Sequence, residues 1–490
     1  MSRAARATAM LLAALSFRVS GAVAAPLAER PEIASRLELY RLWVEDERAF
    51  FAQPAVSIAI VYDQELVWAR GFGVADLESG RPATPETVYR LGSISKTFTA
   101  TALLQLRDAG RLRLDDPVSR YLPSFHPRGA EGGEVTVWNL LTHTSGLPRD
   151  AAFPYWTSRS FPSEEQIHAG LERQELQFPP GSDYQYSNLG LALAGEVAAA
   201  AAGPAVPELI RRQILEPLGL AHTYVELPPA AAGLAQGYLP RRADGTRPRA
   251  PETDARGLTP AANLSSNVLD LARFVSAQLG GPPERRLLAA ATLREMQRVQ
   301  FLARDWSSGR GLGFLAWRQG GRTLVGHGGW VAGHRGQIAF DPATKVGVVV
   351  LTNSDEGGPA EYVKKAFELV APAIEKAVTP APKSVPLVAP ERFVGTYHNP
   401  WGEETEVLLL DGELVLYDHA EPPAADVEAA LTHLAPESEG GTVFRLGAGP
   451  RKLVFEMRPD GKVARIRLDE NYLYPADCGA LGPDLQCTAH

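Results

Sequence analysis

Apolar positions along the chain fall into three textures. Between residues 54 and 73, Val56, Ile58 and Ile60 alternate with their neighbours, Asp63-Gln64 offers a turn, and Leu66-Val67-Trp68 runs on toward Gly71 and Gly73. That period of two predicts a pair of strands. From Ser93 to Arg107 the period changes: Phe98, Ala102, Leu103 and Leu106 recur at helical spacing, and Gly110 is placed to end the helix. Further helices are predicted at Leu189 to Ala202, around Val206 to Leu215 and from Val268 to Leu279, with long Pro- and Gly-bearing segments such as 227–262 between them. Strand character returns at Thr323-Leu324-Val325, Gln337 to Phe340 and Val346 to Leu351. The last is an unbroken apolar run, as in a strand covered on both faces. Strands at both ends with helices between them predict an α+β fold, an antiparallel sheet flanked by helices with an inserted helical lobe.

The third texture begins after a linker at 371–390, which holds five prolines. Short strand-like pieces recur at 393–397, 405–410, 413–417, 442–446, 452–457 and 462–468, with turns at Asp411-Gly412 and Asp460-Gly461. They predict a small antiparallel barrel or sandwich over 391–475, followed by a tail at 476–490. The main domain would then occupy 25–370.

Composition adds limits. The 490 residues carry a formal charge of −8, which gives no general basis for holding a polyanion, so nucleic acid is not an expected partner. Arg3 and Arg6, the apolar stretch Ala7 to Phe17 and the small residues Ala22-Val23-Ala24 read as a secretory leader over residues 1–24. Eleven residues rise only about 16 Å as a helix, too short for a bilayer core. No other stretch is apolar enough to span, so the expected location is periplasmic or secreted. The two cysteines, Cys478 and Cys487, cannot build a zinc site. In an oxidising compartment they would form a disulfide closing a short loop. No metal or cofactor motif is present.

Three short segments could carry chemistry. In Ser93-Ile94-Ser95-Lys96 the hydroxyl and the amine are three residues apart and share one helical face. An amine buried at the head of an apolar helix loses basicity and becomes a usable proton acceptor for that hydroxyl. Alone, the pattern is more often a capping serine beside a solvated lysine. Tyr186-Ser187-Asn188 offers a phenol that can relay protons and an amide that can hold a carbonyl, or else a turn with Asn188 as helix cap. His327-Gly328-Gly329 follows a predicted strand; its glycines allow close approach of substrate backbone, and the next amide, on Trp330, could donate to an oxyanion.

In this order the segments resemble the serine β-lactamase-related family: class C β-lactamases, low-molecular-mass penicillin-binding proteins, and their esterase and D-peptidase relatives. The likeness extends over about residues 35–370. It is carried by Tyr89-Arg90-Leu91-Gly92-Ser93-Ile94-Ser95-Lys96, by Leu140-Leu141-Thr142-His143-Thr144-Ser145-Gly146-Leu147-Pro148, by Pro217-Leu218-Gly219-Leu220, and by Gly326-His327-Gly328-Gly329. The C-terminal piece is similar to the lipocalin-like barrel appended to several members, through Phe393-Val394-Gly395-Thr396-Tyr397 and Phe444-Arg445-Leu446.

The resemblance implies a hydrolase acting on a small-molecule or peptide substrate through an acyl-serine, without cofactor. Ser93 would be the nucleophile, with Lys96 and Tyr186 sharing acid/base duty. The Ser93 and Trp330 amides would form the oxyanion hole, and Asn188, His327, Gly329 and Trp330 would line the substrate. Two departures stand out. Penicillin-active members usually carry Lys-Thr-Gly where His327 stands, and class C enzymes usually have a glutamine where Asp150 stands. A histidine is a weaker carboxylate receptor near neutral pH, and an acid beside it would repel an anion. Both favour peptidase or esterase activity over an efficient β-lactamase. A class C-type β-lactamase and a silent peptide-binding protein are the alternatives. His143 is expected to be structural.

Overall fold

The computed structural model of the chain describes residues 26–129, 133–230, 232–282, 286–379, 385–419, 431–447 and 449–478. The leader expected at 1–24 lies outside them. The chain divides into two compact units, one ending at Thr379 and one beginning at Pro380.

The first unit is built on a nine-stranded sheet. Its strands are β1 (Ala55–Tyr62), β2 (Glu65–Asp76), β3 (Arg81–Pro82), β4 (Phe301–Leu302), β5 (Ser308–Arg310), β6 (Leu315–Gln319), β7 (Arg322–Val331), β8 (His334–Asp341) and β9 (Val346–Thr352). Across the sheet they run β3-β2-β1-β9-β8-β7-β6-β5-β4, every pair antiparallel. The N-terminal hairpin therefore lies directly against the last strand, with Val56 opposite Thr352 and Ile60 opposite Val348.

Alternation sorts the β1 side chains onto two faces. Val56, Ile58 and Ile60 pack with Ile33, Leu37, Tyr40 and Val44 of helix α1 (Pro31–Phe50) and with Tyr362, Val363 and Phe367 of a C-terminal helix. Ala55, Ala59 and Val61 face the larger core under the helical lobe. Both faces being covered explains the continuous apolar runs of β1 and β9.

The lobe surrounds α2 (Ser95–Asp108), in which every residue from Ser95 to Leu104 is buried. A helix buried on every side belongs at the centre of its domain. Beyond its end, Gly110 takes φ +69, and Arg111 N–H closes onto the Leu106 carbonyl at 2.9 Å. Around α2 stand α3 (Val137–Thr142), α4 (Asn188–Ala202) and α5 (Val268–Gln278).

The unit closes with α6 (Pro359–Leu369) and α7 (Ala371–Val378). Helix α7 lies within the segment expected as linker. Pro372 sits in its first turn, where a missing N–H costs nothing. Ala371 and Ile374 are buried, and Glu375 pairs with Arg322 of β7.

The second unit is a closed antiparallel barrel. Its strands are β10 (Gly395–His398), β11 (Glu404–Leu410), β12 (Glu413–Asp418), β13 (Thr432–Pro436), β14 (Val443–Leu446), β15 (Lys452–Met457), β16 (Val463–Leu468) and β17 (Asn471–Pro475). Phe393, Tyr397, Phe444 and Phe455 fill its interior. Asp411 and Gly412 both have positive φ, as a two-residue hairpin turn requires. The strands β13 and β17 carry no clear sequence signal, because each is five residues long, ends in proline and has one buried side chain. Cys478 is disulfide-bonded; its expected partner, Cys487, lies outside the described residues. Among the described residues no single helix is long and apolar enough to cross a membrane, and no His, Cys, Asp or Glu cluster could hold a metal ion.

Candidate active site

Gly92–Ile94 forms a tight 3₁₀ turn that feeds α2. Ser93 is therefore partly exposed at the head of the helix, while Lys96, one turn on, is fully buried. Lys96 Nζ lies 3.0 Å from Ser93 Oγ, 2.9 Å from Asn188 Oδ1 and 2.9 Å from the Ala261 carbonyl oxygen. The last two atoms can only accept. A neutral amine has two N–H groups to give them, which leaves its lone pair directed at the Ser93 hydroxyl. Burial brings the Lys96 pKa down to about 7, helped by the nearby Arg149 charge and opposed by Asp150.

Tyr186 is brought alongside from a segment 93 residues away. Its phenol interacts with Ser93, and its ring centre lies 4.9 Å from Lys96 Nζ and 5.2 Å from the Arg149 guanidinium carbon. Burial pushes its pKa up to about 12, with Ser93 and Arg149 pulling the other way. At neutral pH it is a phenol able to donate. His143 supports that ring from behind: the two stack at 4.6 Å, and His143 Nδ1 accepts from the Ser187 amide at 3.1 Å. It sits in the left-handed region at the end of α3, φ 59, and is buried, which holds it neutral. His143 thus positions Tyr186.

Asn188 carries two readings from sequence, a site amide or a helix cap. The structure gives the capping to Ser187, whose Oγ accepts from the Gly190 amide at 2.8 Å. Asn188 begins the helix, and its amide is left free to bridge the site. It accepts from Lys96 and donates through Nδ2 to Asp150 Oδ1 at 2.8 Å. The Tyr155 hydroxyl donates to the same oxygen at 2.6 Å, and Arg149 Nε stands 3.7 Å from the other. The Asp150 carboxylate is therefore engaged with Asn188, Tyr155 and Arg149, contrary to its expected effect as a bare acid repelling anions. It fixes the amide that fixes the lysine.

On the sheet side, β7 carries His327, Gly329 and Trp330 against the nucleophile turn. A Cβ on Gly329 would stand 1.9 Å from the Leu91 carbonyl oxygen. Gly92 has φ +52, and a Cβ there would lie 2.7 Å from Trp330 N. Only glycines permit this approach, which sets the Trp330 backbone beside Ser93. His327 is buried, and its Nδ1–H donates to the Gly328 carbonyl at 2.6 Å, leaving Nε2 an acceptor. Burial, with Lys96 nearby, brings its pKa down to about 3. A neutral imidazole there receives a donor and gives a carboxylate no charge.

Sequence reasoning missed the cations of the site. Besides Arg149, Arg310 of β5 stands 4.2 Å from the Tyr184 ring centre, and Tyr184 meets His143 edge-on at 6.1 Å. Arg149, next to Asp150, lay in view; nothing local marked Arg310. With Lys96 near neutrality, these two arginines and the engaged Asp150 set the charge of the cleft.

The family model described as Beta-lactamase matches residues 44–371, and the chain belongs to that family. It is 30% identical over 382 residues to beta-lactamase-like protein 2 of Dictyostelium discoideum, covering 72% of this chain and 69% of that one. It is 37% identical over 185 residues to esterase EstB of Burkholderia gladioli, covering 34% of this chain and 45% of that one. Among solved structures, the octameric penicillin-binding protein homologue from Pyrococcus abyssi superposes with a TM-score of 0.61 at 26% identity, over 89% of this chain and 99% of that one. A D-stereospecific amidohydrolase from Streptomyces sp. gives 0.58 at 26% identity, over 67% of this chain and 97% of that one.

Proposed function

We propose that the protein is an exported serine hydrolase that cleaves an amide or ester through an acyl-serine intermediate. One observation carries this reading: the buried Lys96 amine stands 3.0 Å from Ser93 Oγ with both of its N–H groups committed to acceptors. The Ser93 proton passes to Lys96 as Oγ bonds to the substrate carbonyl carbon. Negative charge collects on the carbonyl oxygen beside the Ser93 and Trp330 amides, and the carbon–heteroatom bond breaks as Tyr186, recharged from Lys96, protonates the leaving group. Water then attacks the acyl carbon, giving a proton to Lys96 through Tyr186; as the bond from that carbon to Ser93 Oγ breaks, the proton returns to Oγ and the acid product leaves. Proton transfer of this kind contributes about 10²–10⁴-fold and an oxyanion donor about 10²–10³-fold.

A neutral His327 where lactam-active relatives carry lysine supports ester or peptide cleavage, with at most weak activity on lactams. Export is supported by the leader-like first 24 residues and by the bonded Cys478. The test is Ser93-dependent labelling by a fluorophosphonate, followed by parallel assays of a p-nitrophenyl ester, a D-Ala-D-Ala peptide and nitrocefin. The ester or the peptide should exceed the lactam. Absence of any label that Ser93→Ala removes would leave a binding protein without catalysis.

A further inference from the structure

Two tryptophans meet across the site from different elements. Trp330, on β7, is 43% exposed; Trp156, in the 150–161 segment, is 40% exposed; their ring centres are 5.5 Å apart with planes 33° from parallel. Neither ring swings freely. Trp330 Nε1 donates to Asp355 Oδ1 at 2.8 Å, and the same oxygen accepts the Gly333 amide at 2.8 Å. Trp156 packs on Tyr155 at 5.5 Å and edge-on to Phe161 at 5.2 Å. Tyr155 in turn holds Asp150, which holds Asn188. The pair is therefore tied at one end to the strand bearing the proposed oxyanion amide and at the other to the lysine network.

Rigid aromatic surface left half in water beside a reacting centre is the type of wall on which an apolar ligand group gains contact without an ordering cost. Trp330 carries both features: its amide faces the turn of Ser93, and its indole leaves the same Cα. We infer that the Trp156–Trp330 pair is a specificity wall, and that the substrate group flanking the scissile carbonyl on this side is aromatic. This rests on the hydrolase reading above and deepens it.

The test uses two matched ester pairs: phenylacetyl against acetyl esters of one alcohol, and benzyl against methyl esters of one acid. The aromatic member of one pair should be preferred in kcat/KM by about ten- to a hundredfold. Trp156→Ala should bring that ratio close to one, and Trp156→Phe should keep it; a thermal melt confirms that each variant is folded. No preference in either pair, or a preference that survives Trp156→Ala, overturns the wall. If neither pair is turned over and no fluorophosphonate label depends on Ser93, phenylacetamide is titrated into Ser93→Ala and followed by tryptophan fluorescence. Quenching that disappears in Ser93→Ala/Trp156→Ala sustains the wall while the hydrolase reading falls; absence of quenching overturns the wall as well.

Discussion

Replacing Arg149 by glutamine tests whether the charge of the cleft sets the working pH. The Arg149 guanidinium carbon and Lys96 Nζ lie 5.2 and 4.9 Å from the centre of one ring, that of Tyr186. They are thus at most about 10 Å apart, where two unit charges interact by about 0.4 kcal/mol through water and about 1.7 kcal/mol at an effective dielectric of 20. Those limits correspond to about 0.3 to 1.2 pH units. The Arg149 side chain is 59% exposed, so solvent screening favours the lower part of the range, about half a unit. The sign is fixed. Arg149 disfavours a protonated Lys96, so its removal raises the lysine pKa, and the neutral base appears only at higher pH. In wild type, kcat/KM for a p-nitrophenyl ester should rise through an acidic limb near pH 7, the value to which Lys96 is lowered. In Arg149→Gln the limb should move up by about half a unit. Asp150→Asn should move it down, with a lower plateau because Asn188 loses its anchor. A limb that stays in place in Arg149→Gln, or moves down, refutes the electrostatic account; a wild-type limb near the ordinary lysine value refutes the role of burial.

Other perturbations separate position from charge. Gly329→Ala puts a Cβ 1.9 Å from the Leu91 oxygen, so the strand must retreat from the nucleophile turn; kcat should fall by about 10²-fold, the worth of an oxyanion donor, while the thermal midpoint drops only modestly, and an unchanged kcat would show that the close approach is dispensable. Tyr155→Phe removes the 2.6 Å hydrogen bond to Asp150; a kcat reduced severalfold with KM little changed is expected, and a pure KM effect would count against a role in positioning Asn188. His168 is paired with Glu196, whose carboxylate raises its pKa. That pair stabilises the fold below the ordinary histidine pKa, and its contribution is lost as pH rises through the raised folded value. Burial also raises the Glu196 pKa, so the advantage of wild type over Glu196→Gln in thermal melts should be greater at pH 6 than at pH 9; an advantage that widens toward pH 9 would contradict this.

How much was legible in the sequence follows from the range of the contacts involved. Ser93 and Lys96 could be paired from spacing alone, because one helical turn brings them together whatever surrounds them. The sheet was legible because β1 and β9 carry apolar residues on both faces, and the barrel because six of its strands keep an apolar period between turns. Strands β13 and β17 escaped because each buries a single residue, and α7 because Pro372, usually a sign of linker, is harmless in a first helical turn. For Asn188 the cap and the site role stayed open because Ser187, one position earlier, has an oxygen equally suited to capping; only the fold shows which of the two faces the helix amides.

The same limit governs the chemistry. A serine three residues before a lysine becomes a nucleophile only if the amine is neutral, and that condition comes from elsewhere in the chain. Ala261 and Asn188 take the two N–H groups from 165 and 92 positions away. Asp150 orients Asn188 while drawing the lysine toward its charged form, and Arg149 opposes that pull. Read one at a time, Asp150 suggested repulsion of an anion and Arg149 suggested nothing. Joined through Tyr186 and Asn188, they act in opposite directions on one proton, and their balance trims the pH at which burial of Lys96 makes Ser93 reactive.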